Sequence, residues 1–367
     1  MIYTIIFYIS LLLTTTLVKS RLKAINYVVF ISFLYMGFRY DYQPDYMAYL
    51  NYFNRVANGL KFFESDHMEY GWYLLNQFFS PVGFLGFEFF ISFLFAYAIG
   101  ILLKEFVSKE YLPYVVLGFF SSGTFIMSVS AHRQYVVASI FIIAFYYLIY
   151  NKIERFRDLL NLRVLFYFVI IYLCSTLHSS AAFLYLVPFF YFIPHHKYVA
   201  YSFLVGLFAT IFVGPKFLPL IFDDLYSNYE RYEALIDSER EMEHMTLISF
   251  LSYSVQILFT YFILVKKDIG RTDYFILIVA LLTQFFSISI FSVAQIFRFN
   301  IYLGIFTYVV IDVIGRNIKT LYPQSHILSP NCVKIFYGVW ILWNSLKVLS
   351  VPAGTVEEYK TIFSVLL

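Results

Sequence analysis

Apolar residues in this chain come in long runs separated by short polar turns, and runs of that kind predict membrane-crossing helices. Twelve such segments can be read, over 2–18, 25–38, 84–103, 111–130, 134–151, 163–177, 181–194, 198–214, 246–265, 274–292, 297–315 and 335–350. Several fall short of the ~20 residues that a straight span needs, and 181–194 is the weakest of them. Residues 70–82, YGWYLLNQFFSPV, are apolar but too short to cross, which predicts a half-helix entering the bundle from one face. The first run has no basic residues ahead of it, and Lys19, Arg21 and Lys23 follow it. That order predicts an uncleaved first span with its N-terminus outside.

Composition agrees with the pattern. The 367 residues are 61% hydrophobic and 13% charged, with a mean hydropathy of +0.73. Soluble domains carry about 25% charged residues and 45–50% apolar ones. The fold class is therefore an all-α polytopic membrane protein of about twelve transmembrane helices, organised as a single integral membrane domain over 1–367. The two cysteines, Cys174 and Cys332, fall on opposite faces of this arrangement, so no disulfide is expected.

Charge sets the orientation. With the first loop cytoplasmic, cytoplasmic segments hold 16 Lys and Arg against 7 acids, and external segments hold 10 against 16. The cationic excess marks the cytoplasmic side. Two large external segments result, 39–83 including the half-helix, and the acidic stretch 215–245, whose portion 226–245 is patterned for an amphipathic surface helix. Both are read as the cover of an active site.

Polar residues at span ends or in apolar surroundings then stand out: Arg39, Asp41, Asp45, Glu69, His132, Arg133, His178 and Arg298. All eight fall at the external face, although they come from five separate parts of the chain. Ionisable groups at membrane depth are costly, and their convergence on one face points to a shared cavity. The spacing of the histidines and acids does not resemble a zinc or calcium site, so no metal and no cofactor are expected. No phosphate-binding loop, dinucleotide fingerprint or nucleophile elbow occurs, and nothing suggests nucleic acid.

Arginines at a membrane face suit an anionic substrate, because the guanidinium fork matches phosphate oxygens. An acid in the same cavity can act as general base toward a hydroxyl. Together they fit glycosyl transfer from a polyprenyl-diphosphate sugar, whose leaving group is already a stabilised anion and needs cations more than a proton. A transporter would instead show internal repeats and polar residues near the midplane. No clear repeat is visible, and the midplanes read as almost entirely apolar.

The order of the motifs is also familiar. Arg39, Asp41, Tyr46 and Tyr49 come first, then Glu69 and Gly71, then Arg133, Gln134 and Ala138, then His178, Ser180 and Pro188, and finally Arg298 and Tyr302. In this the chain, from about residue 30 to 310, resembles the EpsG-like family of bacterial polysaccharide polymerases, relatives of the Wzy O-antigen and capsule polymerases. Where that family often has Gly between Arg and Asp, this chain has Tyr40. The resemblance implies a bundle like that of the GT-C glycosyltransferases, in the bacterial inner membrane with its site on the periplasmic side. It implies undecaprenyl-diphosphate-linked oligosaccharides as substrates, no nucleotide sugar, and a chain-length regulator and a flippase as membrane partners. On this reading Arg39, Arg133 and Arg298, with His132 and Gln134, hold diphosphate. Asp41 or Glu69 is the base, and His178 binds diphosphate or orients the acid. An O-antigen ligase, another polyprenyl-phosphate-dependent transferase and a lipid-linked glycan flippase are the alternatives.

Overall fold

In a computed structural model the described residues are 2–64, 68–194, 197–212, 247–266, 269–289, 297–325, 328–351 and 358–362. The acidic stretch 215–245 lies outside them. The chain is built from helices α1 (Ile2–Leu17), α2 (Arg21–Gly37), α3 (Tyr46–Ala57), α4 (Tyr70–Phe79), α5 (Gly83–Phe106), α6 (Leu112–Phe120), α7 (Gly123–Ser130), α8 (His132–Ala144) and α9 (Leu162–Leu177). A 3₁₀ helix over Ser179–Phe192 follows, then α10 (Lys197–Phe212), α11 (Leu247–Leu264), α12 (Arg271–Ser289), α13 (Phe297–Leu303), α14 (Phe306–Leu321) and α15 (Pro330–Leu349). Among the described residues there are also two short strands, β1 (Arg39–Tyr40) and β2 (Lys360–Thr361).

The helices start where the sequence supplies caps. Ser20 accepts from the Lys23 amide at α2, Asn161 from Arg163 at α9, and Ser329 from Cys332 at α15, where Pro330 occupies the first turn. Among the described residues, three helical stretches are long and apolar enough to cross a bilayer: Gly83–Phe106, His132–Ile149 (α8 continued by a π-helical turn) and Pro330–Leu349. Ile2–Leu17, Leu162–Leu177 and Ser179–Phe192 are shorter apolar helices, as is the Val255–Leu264 part of α11. Their outward faces carry large apolar side chains such as Leu17, Phe93, Leu173, Ile335 and Val339, which suits contact with lipid. An all-α protein embedded in a membrane is thus supported.

The weak segment near 181–194 has a physical resolution. Pro188 lies inside it and would break an α-helical ladder there, by its missing amide and by the clash of its ring with the carbonyl four residues back, and the segment runs as a 3₁₀ helix. At a 3₁₀ rise of about 2.0 Å per residue, its 14 residues reach about 28 Å. An α-helix of that length would cover only about 21 Å. The hydrocarbon core is about 30 Å thick.

Other segments differ from the sequence reading. The run 111–130 divides into α6 and α7 around Ser122, whose hydroxyl donates to the Phe119 carbonyl and accepts from the Phe125 amide. The run 297–315 divides at Gly304 into α13 and α14. The loop after α2 holds α3, which buries Tyr49, Tyr52 and Phe53 in one aromatic cluster with Trp72 of α4 and Phe84 and Phe87 of α5. The all-α expectation needs one addition. The chain's C-terminal strand returns to the start of that loop, pairing antiparallel so that Arg39 opposes Thr361 and Tyr40 opposes Lys360. Tyr359 stacks on Tyr35 at 4.0 Å between ring centres and fastens the joint to α2.

At the other end of the bundle a second polar cluster was not expected. The Asp312 carboxylate of α14 is fully buried, accepts from the Ser108 amide at 2.9 Å, and pairs with Arg316 at 2.5 Å. Arg316 reaches on to Asp273 of α12 at 3.3 Å, and the Asn317 amide donates to the same carboxylate at 2.7 Å. This network ties α12, α14 and the turn after α5 together.

Candidate functional site

Seven of the eight residues read from the sequence sort into two adjoining clusters and two separate positions, and the side chain of the eighth, Arg298, lies outside the described residues. The dividing line is the dipeptide His132–Arg133, which opens α8 with no side-chain cap of its own.

The outer cluster centres on Glu69, the residue before α4. One carboxylate oxygen receives the Arg133 guanidinium. The other accepts from His178 Nδ1 at 2.9 Å and from the Ser179 amide at 3.1 Å. A carboxylate only accepts, so His178 carries its proton on Nδ1 and leaves Nε2 as an acceptor. Gln134 Nε2, 2.8 Å away, donates to it. Gly71 makes this contact possible. A Cβ at that position would lie 2.3 Å from Thr176 Oγ1 and 2.7 Å from the Thr176 carbonyl oxygen, so only glycine lets α4 rest on the end of α9 beside His178.

Electrostatics follow from these partners. Burial pushes the Glu69 carboxyl up, but the His178 hydrogen bond, the Arg133 charge and the Ser179 amide outweigh it and hold it down at about 2. Glu69 is therefore an anion at neutral pH and a weak base, with three donors already on its oxygens. Arg133 is 18% exposed, and its Nε has no hydrogen-bond partner among the described residues. That Nε is itself buried, so an incoming anion would meet the part of the guanidinium left exposed.

The inner cluster lies behind it. Arg39 of β1, Glu88 of α5 and His132 of α8 meet with essentially no exposure. Arg39 Nη2 is 2.8 Å from Glu88 Oε2 and 2.7 Å from His132 Nε2, and His132 Nε2 is 2.8 Å from Glu88 Oε1. Tyr49 packs edge-on to the His132 ring at 4.4 Å, with Tyr46 at 6.1 Å. The guanidinium of Arg39 thus faces Glu88 and His132.

Asp41 and Asp45 stand apart. Asp41 takes a left-handed backbone, φ 44°, as does Gln43 at 74°, so the chain turns sharply away from β1. The Asp41 carboxylate pairs with Lys360 at 3.5 Å rather than with Arg39. Asp45 accepts from the Ser130 hydroxyl at 3.2 Å. Arg298 belongs to α13, and its side chain lies outside the described residues. Its helix is joined to the start of the 3₁₀ helix by Tyr302, whose hydroxyl is 2.7 Å from Ser180 Oγ.

Glu88 is the residue that the sequence reading missed. Its signal was present: a single acid in GFLGFEFFISF, inside an apolar run, where an unpaired carboxylate is costly and a partner must exist.

With the geometry in place, comparison with known proteins adds one finding. The chain matches the EpsG family over residues 22–361. No curated protein and no solved structure matches it.

Proposed function

This chain belongs to the EpsG family, a polysaccharide-polymerase type of membrane protein, and from that premise we propose that it joins undecaprenyl-diphosphate-linked oligosaccharide repeat units. The site would face the periplasm from the bacterial inner membrane, in a GT-C-like bundle of about twelve spans. The observation that carries the reading is the outer cluster. An arginine that is 18% exposed stands beside a Glu–His dyad.

In the proposed reaction the growing glycan on its lipid diphosphate is the donor, and a sugar hydroxyl of a new lipid-linked unit is the acceptor. The acceptor oxygen bonds to the donor's anomeric carbon as the bond from that carbon to the diphosphate breaks. Arg133 stabilises the departing diphosphate, with Arg298 of α13 as its second cation. The hydroxyl proton passes to His178 Nε2 once Gln134 yields that position to the acceptor. Glu69 holds the imidazole by Nδ1 and balances the imidazolium that forms, the role a carboxylate plays beside a catalytic histidine. The low basicity of Glu69 suits it to orienting His178 better than to taking the proton itself. Asp41, tied to Lys360 at the edge of the loop, is the second candidate base.

The test is surface-polysaccharide length in a deletion strain complemented with wild type, Arg133→Ala, Glu69→Gln, His178→Asn or Asp41→Asn at matched membrane levels. The first three should collapse the ladder to single repeat units, while Asp41→Asn should keep extended chains. Loss confined to Asp41→Asn moves the base to Asp41. Long chains left unattached would favour a ligase, and a normal ladder in all four would refute the assignment.

A further inference from the structure

We propose that Glu88 is a positioning residue of this site, and that Arg39 serves it as Glu88's partner without touching substrate. The proposal rests on the polymerase reading above.

The argument begins with burial. Arg39 and Glu88 side chains are 0% exposed and His132 is 1% exposed, so no diphosphate oxygen reaches the Arg39 guanidinium. Arg39 Nε and His132 Nδ1 have no hydrogen-bond partner among the described residues, so the cluster is held by its mutual charges. One carboxylate balances one guanidinium, which such a buried place requires.

Next comes connectivity. Glu88 sits in the second turn of α5, Arg39 on β1 and His132 at the first position of α8. Three elements that share no local sequence are thus pinned at one point. The next residue after His132 is Arg133, which turns the opposite way to Glu69. One dipeptide is gripped by Glu88 from inside and by Glu69 from the site, so the direction of the Arg133 fork depends on both. Further along α8, Tyr135 stacks on Phe95 of α5 at 4.1 Å, so the first turn of α8 has little freedom to find another pose.

An apolar group could hold the same helices together, often at no loss of stability. What an ion pair with a histidine lodged against it adds is one allowed arrangement of three partners, and that is useful where a fork must point within about 10–20° of its ligand.

A double-mutant cycle decides between positioning and direct contact. The proteins are wild type, Glu88→Gln, Arg39→Gln, the pair Arg39→Gln/Glu88→Gln and, as a contact control, Arg133→Ala. Each is scored for membrane level, for glycan length in the complemented deletion strain, and after purification in detergent for binding of farnesyl diphosphate. Each single inner variant leaves one charge buried alone and should cut chain extension by about 10²-fold or more. The double variant has no stranded charge and should recover to within about tenfold of wild type, since partners in contact are not additive. Its farnesyl diphosphate Kd should stay within about twofold of wild type, whereas Arg133→Ala should weaken binding at least tenfold. A purely structural defect would move level and binding together and would not show this split.

A double variant as inactive as Arg39→Gln, with Kd weakened tenfold, would overturn the proposal by showing that Arg39 holds diphosphate. A double variant that fails to accumulate while wild type does would overturn it too, since a neutral pair must then be unable to replace the charged one. If wild type itself neither binds the diphosphate nor extends glycan, the polymerase reading fails. The pairing of Arg39 with Glu88 is then read from thermal midpoints, which the singles should lower and the double restore.

Discussion

Glu69→Gln is the substitution whose effect can be worked furthest. The folded protein holds this carboxyl at about 2 against an ordinary 4.5. At about 1.4 kcal/mol per tenfold, that gap corresponds to at most about 3 kcal/mol of preference for the anion in the folded state. The side chain is 21% exposed, and solvent screening brings the figure to about 2 kcal/mol. The sign follows from the direction. A carboxyl whose folded value is depressed contributes fully above its unfolded value, and the contribution is lost as pH falls from about 4.5 toward 2. Glutamine keeps the size and one acceptor but cannot titrate. Thermal unfolding of both purified proteins should therefore show wild type ahead by about 2 kcal/mol at pH 7 and pH 5. The lead should shrink below pH 4.5 and nearly vanish by about pH 2.5. Other titrating groups are common to the two proteins and cancel. A lead that is the same at pH 7 and pH 3 would refute the account of Glu69 as an ion held by Arg133, His178 and the Ser179 amide.

Three further outcomes follow from other contacts. Gly71→Ala places a methyl against the Thr176 hydroxyl and carbonyl, so α4 must move and carry Glu69 off His178. A displacement near 1 Å should cut chain extension by about 10²-fold at normal membrane levels, and unchanged glycan length would show that α4 can shift without harm. Deleting residues 358–367 removes the strand that pairs with Arg39 and Tyr40 and should shorten the glycan ladder at least tenfold. Lys360→Ala removes only a half-exposed ion pair, worth under about 1 kcal/mol, and should stay within about twofold in the same assay.

What the sequence made legible was mostly what one stretch of chain can announce alone. Long apolar runs gave the helices, and cations and acids at their ends gave most of the polar set. Glu69 opening a short helix was readable because YGWYLL begins directly after it. Partnership was not readable. Glu69 finds Ser179 from 110 residues away, and Arg39 finds His132 across 93, and no local pattern encodes such meetings. Hence a reading that turns Arg39 toward substrate does not see the buried Glu88 beside it, and one that takes Asp41 as a base does not see Lys360. Glu88 and Asp312 were concealed by their surroundings, because an apolar run containing one acid still reads as a span. The pairing of β1 with β2 escaped for a similar reason, since a two-residue strand has no period to detect.

That small ladder has a consequence for counting. Hydrogen-bonded strands lie on the same side of a bilayer, so the chain between residues 40 and 360 must return to the side it left. The number of crossings in between is therefore even. The ten segments proposed there satisfy this rule, and it disciplines any revision: a span can be struck out or added only together with another. A reporter fused after residue 362 would accordingly sit on the same side as Arg39, and its compartment would identify the side on which glycan is handled.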